Sequence, residues 1–370
     1  MQTQQERLSS LREGRFLRLP HNSLKRYGMW FSLRAFLTNF EQYRNACSGS
    51  RIHNILKLMT SYLLSRIYGK PIMTAHPFAL SVEPSGMCQL KCPECPTGAG
   101  VLNRPKGLLT LENFSKIINE SESYLFYLNL YFQGEPLLHP HIAEIVRTAA
   151  KKHIYTTIST NAQRLDEKMC QKLVEAGLSR IVISLDGFTQ PVYETYRRGG
   201  DVEIVKKGIL QLLETRANAK QDHPLVVVQF LAFRHNIHEL PEIKKWCRRT
   251  GVDKMEIKPA QLNAFGDRKI SPPKEKSRYT TGENGIHQIK GHPYNHCWRQ
   301  WSSAVITWNG TVGPCCYDKD LEWPYGNIHD QSLDEIWKSM YANSLRGHIL
   351  SDRSGINICR NCPEGRNYLF

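Results

Sequence analysis

The chain has 370 residues and 41% hydrophobic content, enough for two domains or one large domain with additions. No apolar run reaches the ~18 residues of a spanning helix, and Arg7, Arg12, Arg15 and Arg18 break up Leu8, Leu11, Phe16 and Leu17 where a secretory apolar segment would lie. A cytoplasmic protein is therefore expected, with reduced cysteines rather than disulfides.

The net charge of +15 is unevenly placed, because residues 1–75 hold twelve Lys/Arg and three acids, a net +9. Such a leader suits an acidic partner, whether an anionic membrane surface, a nucleic acid or an acidic peptide, or else a solvated basic face. Within it Ile52, Ile55, Leu56, Met59, Leu63 and Ile67 recur at helical spacing, which predicts an amphipathic helix over 51–68. That stripe is expected to pack on its own domain, with insertion into a membrane interface as the alternative.

From Phe78 onward short apolar runs alternate with helical stretches. Strands are predicted at 78–83, 125–132, 154–159, 180–185, 225–232 and 253–258, and helices near 111–120, 141–152, 165–176, 202–215 and 238–250. Strand-helix alternation of this kind implies a parallel sheet or barrel. Just after the first strand comes Cys88-Gln89-Leu90-Lys91-Cys92-Pro93-Glu94-Cys95. Three thiolates on one short loop can hold three irons of a [4Fe–4S] cluster and leave the fourth open to a small molecule. A closed zinc site would want a fourth ligand that this loop lacks.

Between about 262 and 290 the sequence becomes polar and breaker-rich, and reads as a linker. Ser303–Trp308 and Thr311–Pro314 then flank Asn309-Gly310, which predicts a hairpin with a type I′ turn. A capping box, Ser332-Leu333-Asp334-Glu335, is expected to start a helix running to about Leu350. Cys297, Cys315, Cys359 and Cys362 bracket this module, with Cys316 an ambiguous neighbour, because adjacent strand side chains point to opposite faces. The leftover Cys170 and Cys247 fall in helical segments and read as small buried side chains.

Three further motifs follow the cysteine loop at successive strand ends: Phe132-Gln133-Gly134-Glu135-Pro136, Ser159-Thr160-Asn161 and Ser184-Leu185-Asp186-Gly187. In this order, over about 78–260, the chain resembles the radical S-adenosylmethionine (SAM) enzymes. The resemblance implies a partial (β/α)6 TIM-type barrel of α/β class with its site at the strands' C-terminal ends, and SAM held on the open iron of Cys88, Cys92 and Cys95. In that family one-electron reduction splits SAM into methionine and a 5′-deoxyadenosyl radical. By family position Gln133, Gly134, Glu135, Ser159, Asn161, Ser184 and Arg197 (or Arg198) would meet SAM.

The spacing from Cys297 through Gly310 to Cys315 resembles the opening of the SPASM extension, so Cys297, Cys315, Cys359 and Cys362 would hold one auxiliary [4Fe–4S] cluster in the shorter, twitch-like manner. A structural zinc is the rival occupant. Two positions depart from the family pattern: Glu94 stands where an aromatic residue usually precedes the third cysteine, and Gln133 where Gly is usual. Glu83, Gln229, Glu256, Lys258 and Asp318 are unranked candidates for substrate contact or proton removal.

The division expected is a basic helical extension (1–75), a radical SAM barrel (76–262), a linker (263–290) and an auxiliary-cluster module (291–370). The expected function is hydrogen abstraction by a radical SAM oxidoreductase that modifies a peptide or protein. Alternatives are dehydrogenation of a small carbohydrate-like or lipid-linked alcohol, and, in another class, a non-catalytic Fe–S or zinc protein on nucleic acid. A flavodoxin- or ferredoxin-type electron donor is implied, and the leader adds the option of peripheral attachment at the inner membrane face.

Overall fold

A computed structural model describes residues 30–31, 33–263, 265–266, 270–273, 277–281 and 287–366. The leader's Arg7, Arg12, Arg15, Arg18, Lys25 and Arg26 lie outside the described residues, as do parts of the 263–290 segment. In chain order the main strands are β1 (Trp30–Phe31), β2 (Ala79–Val82), β3 (Tyr127–Asn129), β4 (Tyr155–Thr160), β5 (Arg180–Ser184), β6 (Leu225–Ala232) and β7 (Lys254–Pro259). Strands β2 to β7 pair in parallel with their immediate neighbours, in sequential order. Parallel neighbours need helical crossovers, and helices such as Leu111–Ser121, Ile142–Lys151, Glu167–Glu175, Val202–Asn218 and Leu240–Thr250 supply them.

This is the expected partial barrel, and it is open: among the described residues β2 and β7 do not pair. The free edge of β7 takes β1, antiparallel. The short pair β8 (Tyr279–Thr281) and β9 (His287–Ile289) forms a separate sheet. The free edge of β2 takes β10 (Ser303–Ile306) in parallel, and β11 (Thr311–Gly313) and β12 (Gly326–Asn327) continue the sheet. Sheet pairing therefore joins the C-terminal cysteine module to the barrel.

Alternation along the strands sorts the side chains. Ile158, Ile181, Ile183, Val226 and Val228 join Ile145, Leu173 and Leu212 of the helices in the main core. Their strand neighbours point the other way, into the barrel interior, where Val182, Leu225 and Val227 form a small apolar cluster among polar groups. There Arg180 pairs with Glu256 at 2.8 Å, and the Tyr127 hydroxyl meets Thr157 Oγ1 at 2.8 Å. Cys170 and Cys247 are buried helix residues as expected.

Three local expectations need correction. Helix Gln190–Tyr196, with Pro191 in its first turn, was not foreseen because its seven residues span too few turns to show a stripe. The hairpin turn is not type I′: Gly310 alone has positive φ (82°), Gly310 N–H donates to Thr307 O, and Asn309 keeps an ordinary backbone. The capping box is present, but the helix it starts stops at Lys338, where Ser339 caps a second helix, Met340–Asp352.

The N-terminal helices are α1 (Leu33–Ala46) and α2 (Gly49–Tyr68). Tyr43 of α1 stacks on Tyr155 at 4.6 Å. Helix α2 reverses the expected orientation, because it packs through its polar face. Arg51, Asn54, Leu58, Ser61 and Ser65 are the buried positions. The Arg51 guanidinium donates to the carbonyls of Ala46, Glu122, Lys152 and His153. Asn54 exchanges two hydrogen bonds with the His76 backbone, Ser61 bonds Thr74 at 2.6 Å, and Ser65 Oγ accepts from Trp301 Nε1. The stripe Ile52, Leu56, Met59, Leu63 and Ile67 faces outward, each residue 48–66% exposed.

This packing sets a stability test. Truncating Arg51 leaves several buried carbonyls without a donor, so Arg51→Ala should cost about 3 kcal/mol in denaturant unfolding. Leu56→Ala, on the outward stripe, should change stability by less than about 0.5 kcal/mol.

Candidate functional site at the barrel mouth

The cysteine loop leaves β2 at the C-terminal rim. Cys95 N–H closes a turn onto Cys92 O at 3.2 Å, and helix Pro96–Ala99 follows at once. Winding is tight: a Cβ on Gly98 would sit 2.6 Å from Cys92 N. Cys88, Cys92 and Cys95 pack with Leu90, Tyr196, Phe233, Ala260 and Leu262 in an apolar cluster. Burial raises the Cys88 thiol to about 12, where the nearby Glu135, Cys92 and Cys95 charges also push, and it raises Cys92 as well.

N–H groups aim at two of the sulfurs. Leu90 N and Asn161 Nδ2 lie 3.4 and 3.6 Å from Cys88 Sγ, and Arg197 Nη1 lies 3.9 Å from Cys92 Sγ. Such donors stabilise a thiolate and set the potential of a cluster held by it. Among the described residues no three ligating side chains converge around a single ion. The fit for a cluster therefore rests on the donor set, on the loop's winding, and on N–H groups directed at sulfur.

The other predicted cofactor residues gather behind this loop. Gly134 has φ 75°, and a Cβ there would strike Ser85 O at 2.2 Å, so only glycine lets the two rim loops meet. Glu135 is buried and fully engaged. Its carboxylate accepts from Leu137 N, Thr160 Oγ1 and Asn161 N at 3.0, 2.6 and 2.8 Å, and its own N–H donates to Met87 O. Glu135 thus ties the motifs of β3 and β4 to the cysteine loop, and its side chain has no oxygen left unbonded. Asn161 Oδ1 accepts from Gln89 Nε2 at 3.1 Å. Ser159 and Ser184 sit at the ends of β4 and β5. Arg197 bonds Asp186 at 2.6 Å, and Asp186 also accepts from Leu231 N. Arg198 is exposed on the rim.

Of the unranked candidates, Glu83, Asp318, Glu256 and Lys258 have structural partners. Glu83 is fully buried and binds both Arg104 terminal nitrogens at 3.0 and 2.8 Å, along with the N–H groups of Gln133 and Trp308. Asp318 accepts from Glu322 N and Trp323 N, which stabilises its loop. Glu256 sits among Arg180, Lys254 and Lys258. Gln229 is half-buried beside Ser184.

In the second module, Cys297, Cys359 and Cys362 are buried and Cys315 half-buried. Cys315 lies in a turn after β11, not in a strand, and its thiol is raised well above normal by burial and then by Cys316, Cys297 and Cys362. Cys316 instead faces Arg299, Glu364 and Lys319. Sequence reasoning missed Arg353, a fully buried guanidinium whose Nη2 lies 3.7 Å from Cys362 Sγ. Burial opposes its charge, but the Cys297, Cys359 and Cys362 thiols beside it raise its pKa overall. A buried cation is costly without anions nearby, which suits thiolates bound to metal.

Lys319 lies near Cys95 of the first group and near Cys316 beside the second. Its carbonyl accepts from Arg104 Nε at 2.7 Å, and its ammonium lies 3.4 Å from Gln261 Oε1. Burial lowers its pKa, while Cys95, Cys316, Glu94 and Asp320 act to raise it. Glu94, the residue in the usual aromatic position, accepts from Asn263 N at 2.7 Å.

A family model for the radical SAM superfamily matches residues 82–247, and one for an iron–sulfur cluster-binding domain, SPASM, matches 297–363. A tungsten-containing aldehyde ferredoxin oxidoreductase cofactor-modifying protein of Pyrococcus furiosus is 25% identical over 292 residues, 70% of this chain and 80% of that protein. A "Probable GTP 3′,8-cyclase" of Methanococcus maripaludis is 34% identical over 185 residues, 50% of this chain and 58% of its own length. Among solved structures, Streptococcus suis SuiB bound to S-adenosylmethionine superposes with a TM-score of 0.60 at 16% identity, covering 84% of this chain and 76% of SuiB. Native anSMEcpe with bound AdoMet gives 0.54 at 17% identity, covering 77% and 88%.

Two outcomes are expected. Anaerobically reconstituted protein should hold about eight irons per chain, falling to about four when Cys88, Cys92 and Cys95 are all changed to Ala; iron analysis with zinc measured in parallel decides it. Glu256 gives a pH test. Burial raises its pKa, but the Lys254 hydrogen bond and the charges of Arg180, Lys254 and Lys258 outweigh this and hold it at about 2. A folded pKa below the unfolded ~4.3 gives stability that is full at neutral pH and lost as pH falls toward the folded value. Glu256→Gln should therefore cost about 2 kcal/mol at pH 7 and almost nothing near pH 2, by denaturant unfolding at each pH.

Proposed function

Because the chain belongs to the radical SAM superfamily and carries a SPASM iron–sulfur cluster-binding domain, we propose that it abstracts hydrogen from a C–H bond of a peptide or protein substrate held between the barrel mouth and the auxiliary module. The observation that carries this reading is Lys319, whose carbonyl accepts from Arg104 of the loop after the first cysteines and whose ammonium meets Gln261 at 3.4 Å, with the charges of Cys95 and Cys316 both near it. A substrate placed there would face both sets of thiols.

When bound, the clusters and SAM supply the radical and the electron traffic, and the chain's own residues bind, orient and shield. On this reading Cys88, Cys92 and Cys95 hold the SAM-binding cluster, and Asn161 and Arg197 donate N–H groups toward its sulfurs. Gln133 and Gly134 offer backbone groups to the SAM amino group, and Ser159 and Ser184 offer hydroxyls at the strand ends. Glu135 acts as a positioning residue, because all its bonds go to the loops that carry these groups. Cys297, Cys315, Cys359 and Cys362 hold the auxiliary cluster, with Arg353 as its buried counter-charge. Lys319 offers an ammonium there, suited to a substrate carboxylate or a backbone carbonyl.

A peptide substrate accords with the SPASM domain and with a likeness in fold to SuiB, which has been solved bound to precursor peptide SuiA. The runner-up, a small carbohydrate-like or lipid-linked alcohol, rests on the four-cysteine count of the module. The electron donor on this reading is of flavodoxin or ferredoxin type, and the basic leader attaches the enzyme to an anionic surface.

Reduction with dithionite should release 5′-deoxyadenosine from SAM, and the Cys88→Ala, Cys92→Ala, Cys95→Ala protein should release none. Retained release would sink the cluster assignment. Substrate class is read from deuterium transferred to 5′-deoxyadenosine by fractions of a deuterated cell extract. Transfer from a protease-sensitive fraction supports the peptide reading, and transfer from the small-molecule fraction alone selects the runner-up.

A further inference from the structure

Helix α2 inverts ordinary amphipathic packing. Its polar residues Arg51, Asn54, Ser61 and Ser65 fix it to the protein, and Ile52, Leu56, Met59, Leu63 and Ile67 project on the opposite side at 48, 58, 55, 56 and 66% exposure. At helical rise the stripe from Ile52 to Ile67 is about 23 Å long. On α1, Leu37 and Phe40 are also exposed, at 57 and 62%. Single exposed apolar residues are ordinary, but a continuous stripe this long marks a contact surface.

The charge around the stripe narrows the occupant. Around it Arg44, Lys57, Arg66 and Lys70 are exposed against one exposed acid, Glu41. Lys57 and Arg66 lie on α2, and Lys70 lies just beyond its C-terminal cap. A two-fold contact with a second copy would bring this basic surface against itself, which like charges oppose. The stripe is a ridge, since the helix rests on the protein by its opposite face. A convex apolar ridge with cationic flanks fits a fluid, anionic surface: apolar side chains enter the acyl boundary and Lys/Arg stay among the headgroups. No helix among the described residues is long and apolar enough to cross a membrane.

We propose that α2 docks the enzyme in plane on an anionic lipid bilayer, with Ile52, Leu56, Met59, Leu63 and Ile67 in the interface. This deepens the reading of the basic leader given above by assigning the surface, its orientation and the residues that enter it. It stands apart from the radical chemistry, so either can fail alone.

The test uses the full-length, cluster-reconstituted protein in flotation with phosphatidylcholine vesicles, with and without phosphatidylglycerol. Wild type should float with the anionic vesicles alone, and less so as salt shortens the Debye length from ~30 Å at 0.01 M to ~8 Å at 0.15 M. Leu56→Asp/Leu63→Asp should weaken binding by about tenfold or more, while thermal midpoint and 5′-deoxyadenosine release stay at wild-type levels. Three results would overturn the proposal. Wild type does not float with any vesicle; the double variant floats as wild type does, which leaves a polyelectrolyte attraction without the stripe; or ultracentrifugation shows a wild-type dimer that the double variant dissociates, which gives the ridge to a second copy.

Discussion

The Glu83–Arg104 pair holds the mouth of this molecule together. Glu83 is completely enclosed at the end of β2, and its two oxygens bind the guanidinium of Arg104 together with the N–H groups of Gln133 and Trp308. Those four residues come from β2, the loop after the first cysteines, the β3 rim and the hairpin of the second module. Arg104 then reaches the carbonyl of Lys319 and lies over the Phe132 ring. A carboxylate buried this deeply is tolerable only when every lone pair is met. The constraint therefore runs both ways: the buried carboxylate finds its partners because four segments converge, and the segments are held together because each of them bonds it.

The same logic recurs at the sulfurs. Thiols pressed into apolar surroundings resist ionisation, and a metal bound there would have to expel their protons. Arg197 at the first group and Arg353 at the second are the cations that favour the ionised state. Asp186 fixes the first, while backbone carbonyls of His296 and Gly365 hold the second. Each thiol group therefore comes with a counter-charge that the fold itself holds in place.

Sequence made the barrel legible, because each strand is a β-branched or aromatic run followed by a helical stretch, and the six appear within a few residues of their expected bounds. Motif order likewise gave the superfamily and its cofactors. Long-range partners were not legible. The Arg51 guanidinium bonds carbonyls up to 102 residues away, and no local pattern tells an arginine that anchors a helix from one that solvates it. For the same reason the stripe of α2 read as a core face. Helical spacing reports that one side is apolar and says nothing about which side meets the protein. Arg353, Arg104 and Lys319 escaped for a related cause, since each becomes informative only beside residues distant in sequence.

The sequential order of β2 to β7 has a consequence for biosynthesis. A nascent chain can add each parallel strand to the one before it as it leaves the ribosome, so Cys88, Cys92 and Cys95 can be seated on a growing sheet early. Strand β10 pairs with β2, the first of the series, and so that edge waits unpaired through the synthesis of more than two hundred residues. An open strand edge invites strands of other chains. Cys359 and Cys362 emerge later still, after the hairpin has closed. A ribosome stalled between β7 and β10 would carry a barrel whose first thiols are in place and whose β2 edge is still exposed.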